Sequence, residues 1–425
     1  MRGDGERLAR GGAVLAVHLW VLEGALRKWV PGVDALFYVL RDVVVVLIIA
    51  VLMLSSARAA RRSGLLWAIG IALGLLGIVH VIGALASPAV ALAGLRGYLA
   101  PLLMLGLLWA YGSERTLASV LRVIVLYVPL QAAIAVVQVV SPPRSWINRE
   151  VVEDAASFVN GDVVRVTGTF SAPIGMTLFL TLAAAAVLSA AMRSSVARLS
   201  CICLVVLTVG ISGARGAVVA VAVVFAAWLW KLAATRGAAV VKPLLGLAVL
   251  LGATAWVISA AFPGVVRSFL DRFATAAGEE DVVRRIVGQT LGFVAYVPSW
   301  IGEGMGVHSQ VGISLGSGAE WIETDSIRWV AELGLVGLLF AMARLILGLW
   351  LVGVVAVRAR HVSMTFVTFV AALAPVLLSG PVTQSPTTQG FAGICAGVVA
   401  LASASARRDS SVSATGPARR RTVDV

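Results

Sequence analysis

Arginines set in an apolar chain carry the first chemical signal. Arg215 sits in Ser212-Gly213-Ala214-Arg215-Gly216, a break of small residues between two long apolar runs. Small residues let backbones approach closely, and the break places Arg215 at the start of the following helix. Free backbone N–H groups and the helix dipole favour an anion there, and a guanidinium adds a fork that matches phosphate. The plainer reading is an interfacial arginine in a tight hairpin that meets lipid head groups. The residues alone balance the two. Arg165 precedes Thr167-Gly168-Thr169-Phe170-Ser171-Ala172-Pro173. Its glycine suits a turn, Ser171 a helix cap and Pro173 a first helical turn. Taken alone, this is a loop re-joining a helix beside a solvated arginine.

Carboxylates are scarcer. Asp325, Arg328 and Glu332 are spaced i, i+3 and i+7, so they share a helix face, with Glu323 just outside. The ladder is a self-neutralising network, which such spacing more often means, or a carboxylate held by an arginine and poised as a general base. Arg284 and Arg285 follow Glu279, Glu280 and Asp281, the pattern of a solvated, locally paired helix face. Arg41 and Asp42 lie within an apolar run. Sequence neighbours on a helix point apart, so each is expected to pair elsewhere, with Glu23, Arg27 and Asp34 the partners in a structural cluster. His18, His80, His308 and His361 are too dispersed for a metal site. His308, in a glycine-rich stretch, is the histidine with a possible catalytic use, although a lone loop histidine is usually a surface residue. Cys201, Cys203 and Cys395 lie in apolar runs and form neither a disulfide framework nor a zinc spacing. Gly302-Glu303-Gly304-Met305-Gly306 neither follows a strand nor opens a helix, so it is not a nucleotide loop. No metal or cofactor is expected.

The elements that must position these groups are membrane helices. The chain has 425 residues, of which 60% are hydrophobic and 13% charged, and its mean hydropathy is +0.97. A soluble domain carries about 25% charged residues, so the solvent for this surface is lipid. The net charge of +13 is scattered between apolar runs, which points to membrane topology rather than nucleic acid. Apolar runs of span length predict an all-α integral membrane protein of about 12 transmembrane helices. The runs lie at 12–30, 33–55, 64–86, 88–110, 117–140, 171–191, 198–213, 216–232, 241–262, 327–356, 362–380 and 387–405. The membrane domain covers 1–406, and 407–425 reads as a disordered basic cytoplasmic tail. Short arginine-dense segments at Arg7, Arg10, Arg58, Arg61, Arg62, Arg193 and Arg198 predict cytoplasmic N- and C-termini. Two loops then face the other side, 141–169 and the large one, 263–325. Apolar spacing over 282–297 predicts an amphipathic helix lying on the bundle. The glycines that follow predict a flexible or tightly turning stretch.

Four stretches in this order resemble the O-antigen ligase and O-antigen polymerase superfamily of bacterial envelope glycan enzymes. They are Arg165-Val166-Thr167-Gly168-Thr169-Phe170, Ser212-Gly213-Ala214-Arg215-Gly216, Arg285 with Tyr296-Val297-Pro298-Ser299-Trp300-Ile301-Gly302-Glu303-Gly304-Met305-Gly306, and Ala331-Glu332-Leu333-Gly334-Leu335. Glu23-Gly24-Ala25-Leu26-Arg27-Lys28-Trp29 with Leu40-Arg41-Asp42 is similar to a subgroup linked to exopolysaccharide synthesis. The resemblance implies a glycosyltransferase in the bacterial inner membrane. It would move a glycan from a polyprenyl pyrophosphate onto a hydroxyl of a growing glycan or of a lipid acceptor, without metal or nucleotide. It implies that Arg215 and Arg285 stabilise the pyrophosphate, that Arg165 and Arg328 bind phosphate or sugar, and that Glu323 or Asp325 serves as base. Ligases of the family carry a histidine near the position of Glu323-Thr324, which this chain lacks, so polymerase leads and ligase follows. His308 is the substitute base from elsewhere in the loop. A transporter or flippase is the reading from a different class, supported by the span count and intramembrane charges, but no paired broken helices mark two halves.

Overall fold

The computed structural model describes residues 2–30, 32–55, 64–149, 159–160, 163–190, 192, 194–268, 270–271 and 282–414. In lipid every backbone N–H must find a partner within its own segment, so apolar runs become helices. The main helices are α1 (Arg2–Trp29), α2 (Asp34–Ser55), α3 (Gly64–Ile82), α4 (Pro88–Tyr111), α5 (Glu114–Val140), α6 (Pro173–Ser189), α7 (Ser195–Ile211), α8 (Arg215–Arg236) and α9 (Val241–Ala261). The large loop carries α10 (Val282–Leu291) and α11 (Gln310–Ser314), and after it come α12 (Asp325–Leu333), α13 (Leu335–Arg358), α14 (Met364–Leu378) and α15 (Pro386–Ala414). Serine side chains cap several starts, among them Ser87 on α4, Ser113 on α5, Ser194 on α7 and Ser363 on α14.

Eight segments are long and apolar enough to cross a membrane, and one of them, Arg215–Ala261, holds both α8 and α9. Three further apolar helices, α6, α7 and α14, are shorter. The chain is an all-α membrane protein. At its centre stands α6, buried along almost its whole length and packed by α5, α7, α8, α14 and α15. At the periphery, α3 is only 17% buried against 78% for the apolar part of α15. Leu54, Leu65, Ile82, Trp256 and Val357 are exposed, an arrangement that lipid tolerates and water does not.

Charges gather where α1, α2 and α4 meet, as expected for Glu23, Arg27 and Asp34. Arg27 pairs with Asp34 and lies 3.5 Å from Glu23, and Arg41 lies 3.8 Å from Glu23. One expectation is corrected. Arg41 does bond its neighbour Asp42, at 2.7 Å and 2.9 Å. The long arginine stem carries its guanidinium back around the helix, and Arg96 of α4 holds the other Asp42 oxygen at 2.8 Å.

The 141–169 segment carries a helical turn at Trp146–Asn148 and a two-residue antiparallel pair, Val159–Asn160 with Val163–Val164. In the large loop, α10 is shorter than expected, and Arg284 to Gly288 are exposed rather than laid against the bundle. The anchor is Phe293 just after it, buried with Val330 and Ala341. Glu279, Glu280 and Asp281 lie outside the described residues. The expected tail also differs in part: α15 runs on to Ala414, and 415–425 lie outside the described residues.

The glycine-rich stretch is tightly turned. Gly306 has φ +85 and rests on α4, where an added Cβ would meet the Val90 carbonyl oxygen at 2.5 Å and the Gly94 Cα at 2.9 Å. Gly306→Ala is therefore expected to detach the loop from α4, because both the backbone and the space forbid it. Hydrogen exchange of residues 302–309 reads this directly. Protection close to wild type would show that the contact is not needed.

Candidate functional site

The turn at 167–170 is built by two amides that project from α5 on one face, seven residues apart. Gln138 Oε1 accepts from the backbone N–H of Thr167 (3.1 Å) and Gly168 (2.8 Å), and Gln131 Oε1 accepts from Thr169 N–H at 3.1 Å. From α1, Lys28 Nζ donates to Thr167 Oγ1 at 3.0 Å and to Gly168 O at 2.7 Å. Gly168 takes φ +56, and a Cβ there would meet Gln131 Oε1 at 2.3 Å. Arg165 lies two residues before this turn. Lys28 is 2% exposed, and both of its bonds go to neutral oxygens of the turn.

Arg215 arrives from a different direction. Gly213, with φ +64, closes the hairpin between α7 and α8, and Ser212 Oγ accepts from Ala214 N–H at 3.3 Å. The hairpin sets half-buried Arg215 at the first turn of α8. Arg215 comes near enough to act on Arg165. Burial first, and the Arg215 charge second, hold the Arg165 guanidinium below the usual arginine range. The buried Arg165 Nε has no hydrogen-bond partner. A half-buried guanidinium with an unpartnered donor, within reach of a second positive charge, is a candidate place for an anion.

The other expected residues form separate groups. Arg285 and Glu323 meet 3.9 Å apart, both exposed. Asp325 and Arg328 bond at 2.8 Å and are buried. Asp325 Oδ2 also accepts from the backbone N–H of Val382 and, at 2.8 Å, of Thr383. All this ties α12 to the segment before α15 and leaves Asp325 turned away from solvent. The third member of the ladder, Glu332, acts on Arg328 by charge but spends its hydrogen bonds elsewhere. Glu332 takes the Tyr98 hydroxyl at 2.6 Å and the His308 backbone N–H at 3.1 Å. The ring of His308 faces two acceptors, Glu303 Oε2 and the Glu320 carbonyl oxygen, each at 2.8 Å. Arg215 acts on Arg165 by charge, whereas Arg285 is engaged with Glu323. Among the described residues no three His, Cys, Asp or Glu side chains gather as a metal site requires.

Glu303 is also held by the Tyr296 hydroxyl at 2.7 Å. That bond first, with His308 adding to it, keeps the Glu303 carboxyl below its ordinary range against the effect of partial burial. The same bond pushes the Tyr296 hydroxyl up to about 12. A lowered acid contributes above its unfolded value, ~4.3, and is lost as pH falls through the lowered one. A raised tyrosine contributes below its unfolded value, ~10, and is lost as pH rises toward the raised one. The bond therefore spans neutral pH. Tyr296→Phe is expected to move the Glu303 titration upward, toward the ordinary range, as read by carboxyl carbon NMR. An unmoved titration would show that Tyr296 is not the cause.

Lys28, Gln131, Gln138, Glu303 and Tyr296 were not singled out from their spacing. Gln131 and Gln138 did leave a signal, two amides at i and i+7 inside an apolar run. The fold defines an all-α membrane protein. A scan against protein-family models finds no match for the chain, and a search of curated proteins finds none.

Proposed function

We propose that this chain is a polysaccharide polymerase-type glycosyltransferase of the bacterial inner membrane, related to the O-antigen ligase and polymerase superfamily. Its helices make about twelve spans, with both termini cytoplasmic and the 141–169 and 263–325 loops on the outer face. The buried Arg165 Nε without a hydrogen-bond partner, within reach of the Arg215 charge, is the observation that carries the reading. These cations take the pyrophosphate of a polyprenyl-linked glycan, with Lys28 bracing the turn that follows Arg165. An acceptor hydroxyl attacks the anomeric carbon of the donor. The new C–O bond forms as the bond from that carbon to the phosphate oxygen breaks. The electron pair leaves with polyprenyl pyrophosphate, where fixed arginines stabilise the developing charge. The hydroxyl proton passes to an exposed loop carboxylate, for which Glu323 beside Arg285 fits better than the enclosed Asp325.

A strain lacking the chain is expected to accumulate lipid-linked repeat units and to lose long surface polysaccharide. Normal polysaccharide with no such accumulation would sink the reading. Free long chains with an unmodified lipid acceptor would instead select the ligase version, and lipid-linked glycan trapped on the cytoplasmic side a flippase.

A further inference from the structure

The stretch that leads out of α10 carries apolar side chains with nothing over them. Val294 is exposed, Val297 is 87% exposed and Trp300 is 83% exposed. On α10 itself Ile286, Val287 and Leu291 are exposed too. At about 100° per residue these three share one side of the helix, and Arg285 lies on the opposite side. A run of uncovered apolar side chains on a loop is unusual in water and marks an interaction surface.

Both ends of the patch are fastened. Phe293 is buried with Val330 of α12 and Ala341 of α13. The Trp300 carbonyl oxygen accepts from the Leu335 N–H at 3.4 Å. Gly334, with φ +60, lets the two segments close, because a Cβ there would meet the Trp300 carbonyl oxygen at 2.8 Å. Trp300 is thus held at the first residue of α13. That helix has 24 residues, which is about 36 Å at helical rise, against about 30 Å of hydrocarbon. Its first turn therefore stands at the edge of the bilayer, where Leu335, Val336 and Leu339 are exposed. The apolar surface of the loop continues the lipid-facing surface of the span.

We propose that this patch inserts into the head-group layer of the bilayer that the chain spans, with Trp300 as its interfacial anchor. Tryptophan suits that place because its ring is apolar and its N–H polar. A helix with one apolar side settles about 5–10 Å into the boundary between head groups and acyl chains. The attraction is apolar and not ionic, since the four arginines between Pro263 and Trp300 are matched by four acids. Zwitterionic lipid is therefore enough. Inserted this way, α10 keeps Arg285 and its partner Glu323 on the water side. The anchoring stands whether or not the chain transfers glycan.

The test uses the full chain, grown with fluorotryptophan and placed in lipid nanodiscs. The Trp300 signal in the fluorine NMR spectrum is the one missing from Trp300→Phe. A lipid with a nitroxide high on its acyl chain is expected to broaden that signal, as it broadens the signal of exposed Trp256 on α9. A soluble gadolinium chelate is expected to leave it sharp. Discs of phosphatidylcholine alone and discs that include phosphatidylglycerol should behave alike. Val294→Asp combined with Val297→Asp, both at exposed positions, should remove the nitroxide broadening and open Trp300 to the chelate. Broadening of wild-type Trp300 by the chelate would overturn the proposal and leave the patch in water. Protection from both agents would overturn it as well, and give the patch to a protein or to a second copy of the chain. Nitroxide broadening that needs phosphatidylglycerol, or that survives the double variant, would rule out apolar insertion.

Discussion

Arg215→Ala, in protein that inserts and folds as the wild type does, is expected to lower glycan transfer by about two to three orders of magnitude, the range seen when one fixed donor to a developing anion is removed. Two features make this residue the sensitive one. It occupies the first turn of α8 behind a left-handed Gly213, where the helix dipole reinforces its charge. It also acts on Arg165, whose buried Nε has no other partner. Arg165→Ala is expected to follow in the same direction. The double variant should lose much less than the product of the two single losses, because residues that bind one group are not additive. Arg215→Lys should recover only part of the rate, since an ammonium keeps the charge without the fork. Initial rates of pyrophosphate-lipid release read all four. Full activity in Arg215→Ala would remove the cation from the account.

Asp325→Ala is expected to act on the fold instead. The side chain is 2% exposed and ties Arg328 to the backbone of Val382 and Thr383. Its removal leaves a buried guanidinium without its carboxylate, a change that costs about 3–5 kcal/mol in comparable buried pairs. The thermal midpoint in detergent should fall strongly for Asp325→Ala and stay near wild type for Glu323→Ala, whose side chain is 62% exposed. Turnover should show the contrast from the other side, with Glu323→Ala stable and slow. A stable Asp325→Ala protein that is merely inactive would reverse the two assignments and make Asp325 the base.

Both predictions trace to what the sequence does and does not display. A run of apolar residues announces its helix, because in lipid no other backbone solution is open to it. The expected runs are helical, including those at α6, α7 and α14, which are shorter than a full span, but the run at 327–356 is split at Gly334, with φ +60, into α12 and α13. The Ser212–Gly216 hairpin was legible for the same reason: small residues and one glycine have few uses between two apolar runs. Long-range pairings were not legible. Glu332 has the spacing to face Arg328, yet it bonds Tyr98, 234 residues earlier. Local spacing cannot exclude a distant phenol. Arg41 and Asp42 failed in the opposite way, since the rule that neighbours diverge holds for Cβ directions and not for the tip of a long, flexible side chain. Glu303 was read as part of a glycine-rich connector. Its partners, Tyr296 and His308, reach it because the loop turns sharply at Gly304 and Gly306.

The central claim is that bond-making occurs at this site. The most direct measurement supplies the purified chain in proteoliposomes with a synthetic polyprenyl-pyrophosphate-linked glycan and follows both products. Elongated glycan should appear in step with released polyprenyl pyrophosphate, and both should be lost together in Arg215→Ala. A donor that is moved across the bilayer or bound but never consumed, with no elongated glycan, would contradict the account.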